Sequence, residues 1–216
     1  MPLFISFEGI EGSGKTTQIQ LLANQLESLG YDVLITREPG GCPIADQIRH
    51  ILLHPDNDRL VPDAELLLYA AARAQHVAEV ISPALEQGKI VLCDRYCDAT
   101  LAYQGYARGL DLQLVHQLND LAAGTCRPHL TLLLDMHPDQ GLHRAQSRNA
   151  ATSGPAEGRF EQESLKFHSK VREGYLVLAQ QEPLRIKVID ATGTHEQVAT
   201  RIWQTTSSFL SRSRNA

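Results

Sequence analysis

Polar and apolar positions divide the chain into short apolar runs and longer periodic ones. Residues 3–8 are a short apolar run that meets Gly9 and predicts a buried parallel strand entering a tight turn, and the pattern repeats in kind with strands at 31–36, 89–93, 129–134 and 185–189. Between them apolar residues recur at helical spacing, as Ile19, Leu22, Leu26 and Leu29 do before the stop at Gly30. The same spacing predicts helices over 43–54, 62–87, 112–123, 140–148, 162–181 and 196–211, with Thr194 and Gln197 at capping-box distance before the last. Strand and helix in alternation imply an α/β fold with a parallel sheet covered on both faces.

Length and composition narrow this to one domain over residues 1–216, because 216 residues with 43% apolar content form one substantial core and fall short of two average domains. A formal net charge of -5 gives no basic excess of the kind that marks nucleic-acid or membrane-surface binders, so neither partner is expected. No apolar run approaches the roughly 18 residues of a membrane span, and the N-terminus enters a strand pattern directly, so a cytoplasmic chain is expected. The four cysteines, Cys42, Cys93, Cys97 and Cys126, lack Cys-x-x-Cys pairing and read as small apolar residues. Residues 149–158, rich in Ala, Ser, Thr, Gly and Pro, are either a mobile lid or an ordinary surface loop. Residues 211–216 read as a frayed tail.

The chemistry begins at Gly9-Ile10-Glu11-Gly12-Ser13-Gly14-Lys15-Thr16, which fits G-x-x-x-x-G-K-[ST] between a strand and an amphipathic helix. Its glycines let successive N–H groups point at phosphate oxygens, the helix directs its positive end there, and Lys15 neutralises the terminal phosphates. Thr16 is placed to offer its hydroxyl to Mg²⁺. Thr17 either reaches a further phosphate oxygen or is a first-turn helix residue. A second metal contact is expected from a strand-end carboxylate, and both Asp94 and Asp135 qualify; Asp94 is favoured because Arg95 follows it.

A phosphate loop alone says little about which reaction is served. Three further motifs do: Thr36-Arg37-Glu38-Pro39-Gly40-Gly41, Tyr69-Ala70-Ala71-Ala72-Arg73-Ala74-Gln75-His76, and Asp94-Arg95-Tyr96 followed by Ala102-Tyr103-Gln104-Gly105. In order and spacing these resemble the thymidylate kinase family over nearly the whole chain. The resemblance implies a P-loop kinase fold with a five-stranded parallel sheet, sites for ATP and dTMP, Mg²⁺, a lid near residues 145–159, and a homodimer. Matched by position, Arg37, Arg73 and Arg95 would grip the acceptor phosphate, where facing polyphosphates need fixed cations. Tyr69 would stack on the base, Tyr103 would pack beneath the deoxyribose, and Thr100 and Gln104 would lie near the base edge. Glu11, an acid in an anion-binding loop, would serve the acceptor sugar. With Ser13 in the loop and Arg144, Arg148 and Arg159 flanking the lid, the chain is similar to the members whose lid arginines close over ATP and neutralise the moving γ-phosphoryl group.

Three positions depart from the family pattern: Ala99 stands where a serine is usual, Ala72 where an aspartate often precedes the arginine, and Gly158 where an acid often does. The lid is also longer than usual, from which altered lid kinetics rather than lost function is expected. His50 and His54 have a metal-capable spacing but no third ligand in sequence. The expected reaction is in-line transfer from ATP to dTMP without a protein base. A kinase for another nucleoside monophosphate, or an ATP-binding switch protein without transfer, is the alternative.

Overall fold

Leu3–Glu8 (β1) is buried along its whole length. Its alternate side chains enter opposite cores: Leu3, Ile5 and Phe7 join Ile19, Leu22 and Leu26, whereas Phe4 joins Val77, Ile81 and Tyr96. Each large side chain so removed from water contributes about 1.5–3 kcal/mol. The structure, a computed structural model, describes residues 2–151, 159, 160 and 162–214, except for the side chains of 146, 148–151 and 212–214. After β1 come α1 (Lys15–Ser28), β2 (Val33–Arg37), α2 (Pro43–Leu53), α3 (Pro62–His76), α4 (Ser82–Glu86), β3 (Ile90–Asp94), α5 (Cys97–Thr100), α6 (Leu112–Ala123), β4 (Leu130–Asp135), α7 (Pro138–Ala151), α8 (Leu165–Gln181), β5 (Ile186–Asp190) and α9 (His195–Arg214).

The five strands form one parallel sheet in the order β2-β3-β1-β4-β5, flanked by helices as the alternating pattern predicts. Phe7 and Arg37 both pair with Asp94, Glu8 pairs with Leu133, and Asp135 pairs with Asp190. The register therefore gathers Glu8, Arg37, Asp94 and Asp135 at one edge. The chain leaves β1 for β2 on one side and later returns past it to β4 on the other, so β1 borders the switch point at which open parallel sheets bind ligands.

Four strands start one or two residues later and end one later than the apolar runs, because Arg37, Asp94, Asp135 and Asp190 keep their ladder pairing despite being charged. The helix expected over 62–87 is interrupted by a π-helical stretch at Val77–Ile81, just ahead of Pro83, whose ring crowds the carbonyl four residues back and offers no N–H. A second π-helical stretch, Leu101–Ala107, follows α5 in a region to which periodicity assigned no element. Helix α7 runs three residues beyond 148, so 149–151 are helical, and 152–158 lie outside the described residues. Helix α8 starts at Leu165 rather than 162, where Ser164 Oγ accepts from the Phe167 N–H at 3.2 Å. The capping box forms as spaced: the Thr194 N–H donates to Gln197 Oε1 at 2.9 Å and the Gln197 N–H to Thr194 Oγ1 at 3.4 Å. Helix α9 continues to Arg214, so most of the expected tail is helical.

Candidate active site

The phosphate loop joins β1 to α1, whose first N–H groups have no helical partner and face the loop's hollow. Gly12 has φ 71°, and a Cβ on it would lie 2.0 Å from the Gly141 carbonyl oxygen, so neither its backbone nor its surroundings admit a side chain. Lys15 is buried and curls back, Nζ donating to the carbonyl oxygens of Gly9 at 3.1 Å and Ile10 at 3.0 Å. Burial first and Arg95 second depress its ammonium to about 8. Ser13 Oγ is buried without a hydrogen-bond partner among the described residues.

The two strand-end aspartates separate clearly. Thr16 Oγ1 donates to Asp94 Oδ2 at 3.1 Å, joining the loop to the end of β3. Asp135 instead takes a two-pronged contact from Arg172, Nε at 2.7 Å and Nη2 at 2.9 Å.

Glu11 is the centre of a charged group. Arg95 Nη2 donates to its Oε1 at 2.8 Å, Tyr103 Oη lies 2.7 and 2.8 Å from its two oxygens, and His168 Nδ1 stands 3.2 Å from Oε2 without hydrogen-bond alignment. Burial would raise this carboxyl, but Arg95, then His168 and Lys15, hold it well below the usual range. Arg95 itself has φ 68°, an uncommon conformation for a residue with a Cβ. Its N–H bonds Phe7 O, its Nη1 bonds Gly9 O at 3.0 Å, and its guanidinium lies over the Tyr103 ring at 4.8 Å. These contacts fix the strained backbone where the loop and the opposite wall meet. Below them Glu8 is fully buried, accepting from the Tyr96 N–H and Tyr175 Oη at 2.7 Å each, and burial first with Asp98 second pushes it up to about 8.

The far wall is also built on buried charge. Arg73 is 1% exposed and donates to Glu38 Oε2 at 2.7 Å, Asn119 Oδ1 at 2.5 Å and Thr100 Oγ1 at 3.0 Å. His76 bridges Glu38 at 3.0 Å and Thr36 at 2.7 Å, and Gly41, at φ 90°, passes so close that a Cβ would lie 2.4 Å from His76 Nε2. This explains the motif after β2: Glu38 is an internal counter-ion and Gly41 leaves room for His76. Gln104 Nε2 donates to the buried Glu65 at 2.8 Å. Arg37 is exposed with Asp46 at 3.7 Å, and Arg49 Nη1 bonds Pro39 O at 2.8 Å.

One cleft of about 1190 Å³ runs from Lys15, Thr16, Thr17 and Asp94 past Arg95 and Tyr103 to Tyr69, Arg73, Thr100 and Gln104. It exceeds the range of about 300–1,000 Å³ for a single small ligand, so two nucleotides fit the space better than one. Most residues singled out in sequence therefore meet. Arg159 departs from expectation: its Nε bonds Leu52 O at 2.6 Å and its Nη2 bonds Glu65 at 2.5 Å, which ties it to α2 and α3 instead of the phosphate loop. Arg144 is exposed on α7, and the Arg148 side chain lies outside the described residues. The His50 and His54 rings are 5.1 Å apart, and no metal-binding group of three His, Cys, Asp or Glu occurs among the described residues. Sequence reasoning missed Glu8, Glu65 and His168, whose roles come from neighbours distant in the chain. A carboxylate ending an apolar strand was the signal available for Glu8.

A family model described as thymidylate kinase matches residues 7–202. The chain is similar to thymidylate kinase of Syntrophotalea carbinolica, 78% identical over 97% of both chains, and to that of Geobacter sulfurreducens, 58% identical over 94% of this chain and 95% of the other. It is also similar to the crystal structure of thymidylate kinase from Ehrlichia chaffeensis, with 35% identity, a TM-score of 0.75, and coverage of 95% of this chain and 98% of that one.

Proposed function

The chain belongs to the thymidylate kinase family, and from that membership we propose how its cleft works. The enzyme transfers the γ-phosphoryl group of ATP to dTMP, giving dTDP and ADP. Residues 9–16 and the α1 N-terminus hold the ATP phosphates, and Lys15 exchanges its loop carbonyls for phosphate oxygens. Thr17 lies beside them on the cleft. The acceptor oxygen is already anionic and requires no base, so alignment and charge stabilisation supply the rate.

The observation that carries this reading is the chain from Lys15 through the Gly9 carbonyl, which Arg95 also bonds, to Arg95, Glu11 and Tyr103, between the phosphate loop and the far wall. Arg95 stands where donor and acceptor phosphates would face each other, with Arg37 on the same cleft. Tyr103, held by Glu11, supports the sugar, and Tyr69 stacks on the base. Arg73 is assigned differently from the sequence expectation. Its three bonds go to Glu38, Asn119 and Thr100, which favours a base-side position over a grip on phosphate. Gln104 turns its amide nitrogen to Glu65, leaving its carbonyl oxygen for the cleft. Thymine presents an N3–H between two carbonyls, so an acceptor from Gln104 and a donor from Arg73 or Thr100 complement it.

Thr16 and Asp94 offer the hard oxygens that Mg²⁺ takes when phosphates and waters complete its shell. When bound, the ion neutralises charge on the ATP oxygens. Arg144 and Arg148 on α7 are assigned to the lid around 145–159. Arg159 serves the base-side wall through Glu65. Exposed Ile44 and Ile51 on α2, Leu67 on α3 and Leu114 and Leu121 on α6 are proposed as the contact face of a homodimer. Free nucleotide substrates suit a cytoplasmic enzyme.

Purified protein incubated with Mg·ATP and dTMP is expected to form dTDP and ADP in equal amounts, and Lys15→Ala to slow both by about 10²–10³-fold. ADP without dTDP would mean that the acceptor reading is wrong.

A further inference from the structure

Glu65 does not line the cleft, yet it lies directly behind a residue that does. Its side chain is 1% exposed and receives Gln104 Nε2 at 2.8 Å, Arg108 Nε at 3.3 Å and Nη2 at 3.4 Å, and Arg159 Nη2 at 2.5 Å. Both Glu65 oxygens thus serve as acceptors, Oε1 for Gln104 and Arg108 and Oε2 for Arg108 and Arg159. The Gln104 amide therefore keeps its nitrogen toward Glu65 and its oxygen toward the cleft. An amide is nearly symmetric in shape, so turning it over exchanges acceptor for donor with almost no change in packing.

We propose that Glu65 sets the enzyme's preference among pyrimidine bases by fixing the polarity of Gln104, without touching substrate. The proposal rests on the assignment of Thr100, Arg73 and Gln104 to the base. Thymine and cytosine differ little in outline, but thymine offers N–H at position 3 where cytosine offers a lone pair. A site whose buried polar group has the wrong polarity rejects a base far more strongly than one that is slightly too small. Arg159 binds the far oxygen of Glu65 at the shortest distance in the cluster. In a Glu65→Gln variant, the new side chain would keep its oxygen on Arg159 and turn its nitrogen to Gln104. Gln104 would then reverse, presenting its own NH₂ to the cleft.

The test compares kcat/KM for dTMP and dCMP at saturating Mg·ATP in the full-length enzyme. In E65Q the dTMP-to-dCMP ratio should fall by about tenfold or more, the scale of a single hydrogen bond's polarity, with the change mainly in KM. A merely structural role would lower both substrates in parallel, and an unchanged ratio overturns the proposal. The exchange variant E65Q/Q104E restores an acceptor to the cleft, with the amide now at position 65 donating to the carboxylate now at position 104, and should recover the preference for dTMP. It decides the question even if E65Q alone does not fold, and failure to recover the preference overturns the proposal. Q104L separates the two assignments: if it leaves the ratio unchanged, the base-side wall is misassigned, whereas a ratio moved by Q104L but not by E65Q removes Glu65 alone.

Discussion

Glu11 and Arg95 meet at 2.8 Å, an acid of the phosphate loop against the cation that follows β3. An acid facing bound phosphates is unfavourable by itself, and the pair shows how the loop accommodates it. Arg95, His168 and Lys15 outweigh burial, so the carboxylate is depressed and stays ionised wherever the fold persists. Its stabilising contribution is complete above its ordinary value of 4.5 and disappears only as pH falls well below it. Glu11→Gln keeps the shape and removes the charge. The variant should lose about 10–100-fold in kcat/KM for dTMP, the worth of a charge-assisted hydrogen bond of about 1.5–3 kcal/mol. KM for ATP, measured in parallel, should move far less.

Asp94 and Asp135 end neighbouring apolar runs, but only Asp94 bonds Thr16. Asp94→Asn should raise the Mg²⁺ concentration for half-maximal activity by about tenfold or more, as expected when a hard anionic oxygen is lost. Asp135→Asn removes a half-exposed pair with Arg172 and should leave that midpoint in place. A magnesium titration of both variants reverses the assignment if the effects are exchanged.

Lys15, lowered to about 8 by burial and then Arg95, loses charge in the free enzyme as pH rises through that value. A bound triphosphate favours the ammonium form, so binding takes up a proton on the alkaline side. The Kd for Mg·ATP should rise with pH above about 8, by up to about tenfold per unit, until the bound lysine also deprotonates. Calorimetry in buffers of different ionisation enthalpy measures that uptake. Lys15→Ala should abolish it and cost about 10²–10³-fold in turnover.

Glu8 behaves in the opposite sense. The folded chain holds its proton up to about 8, whereas the unfolded chain releases it near 4.5. Between these values the native state binds the extra proton, so stability falls with rising pH, by up to about 1.4 kcal/mol per unit. Urea unfolding across this range should show a flatter profile for Glu8→Gln than for the wild type. Identical slopes would mean that Glu8 is ionised in both states.

Much of the architecture was legible because parallel strands buried on two faces must be apolar, as the central runs 3–8, 89–93 and 129–134 largely are, whereas the edge strands β2 and β5 leave Ile35 and Val188 exposed and carry polar residues between their apolar ones. Their charged last residues belong to the ladder for a reason that hydropathy does not carry: Arg37 and Asp94 need each other's backbone, whatever their side chains. The segment Cys97–Ala107 was illegible as an element because its polar Thr100 and Gln104 are buried by Arg73 and Glu65 rather than exposed on a periodic face. The phosphate loop and Asp94 were readable from local spacing, and Arg95 only through the family resemblance. Glu65, Glu38 and His168 were not, since a buried ionisable group is recognised only by partners that folding brings to it. Arg159 illustrates the same limit from the other side: its place beside the lid was plain in sequence, and its bond to Glu65 was not.

The contact between Gly12 and Gly141 bears on how much freedom the sequence has. A Cβ on Gly12 would lie 2.0 Å from Gly141 O, and one on Gly141 would lie 2.5 Å from Glu11 O. Main chain thus rests on main chain where α7 crosses the phosphate loop, and the spacing is gauged by peptide planes that every residue type shares. Exposed side chains of α7 such as His143 can be exchanged or resized without moving the helix relative to the loop, and Arg144 is held to its type by its assigned place in the lid rather than by this contact. The seam makes the two parts interchangeable in composition while fixed in position, so variation can accumulate on the helix at little risk to the alignment of the phosphates.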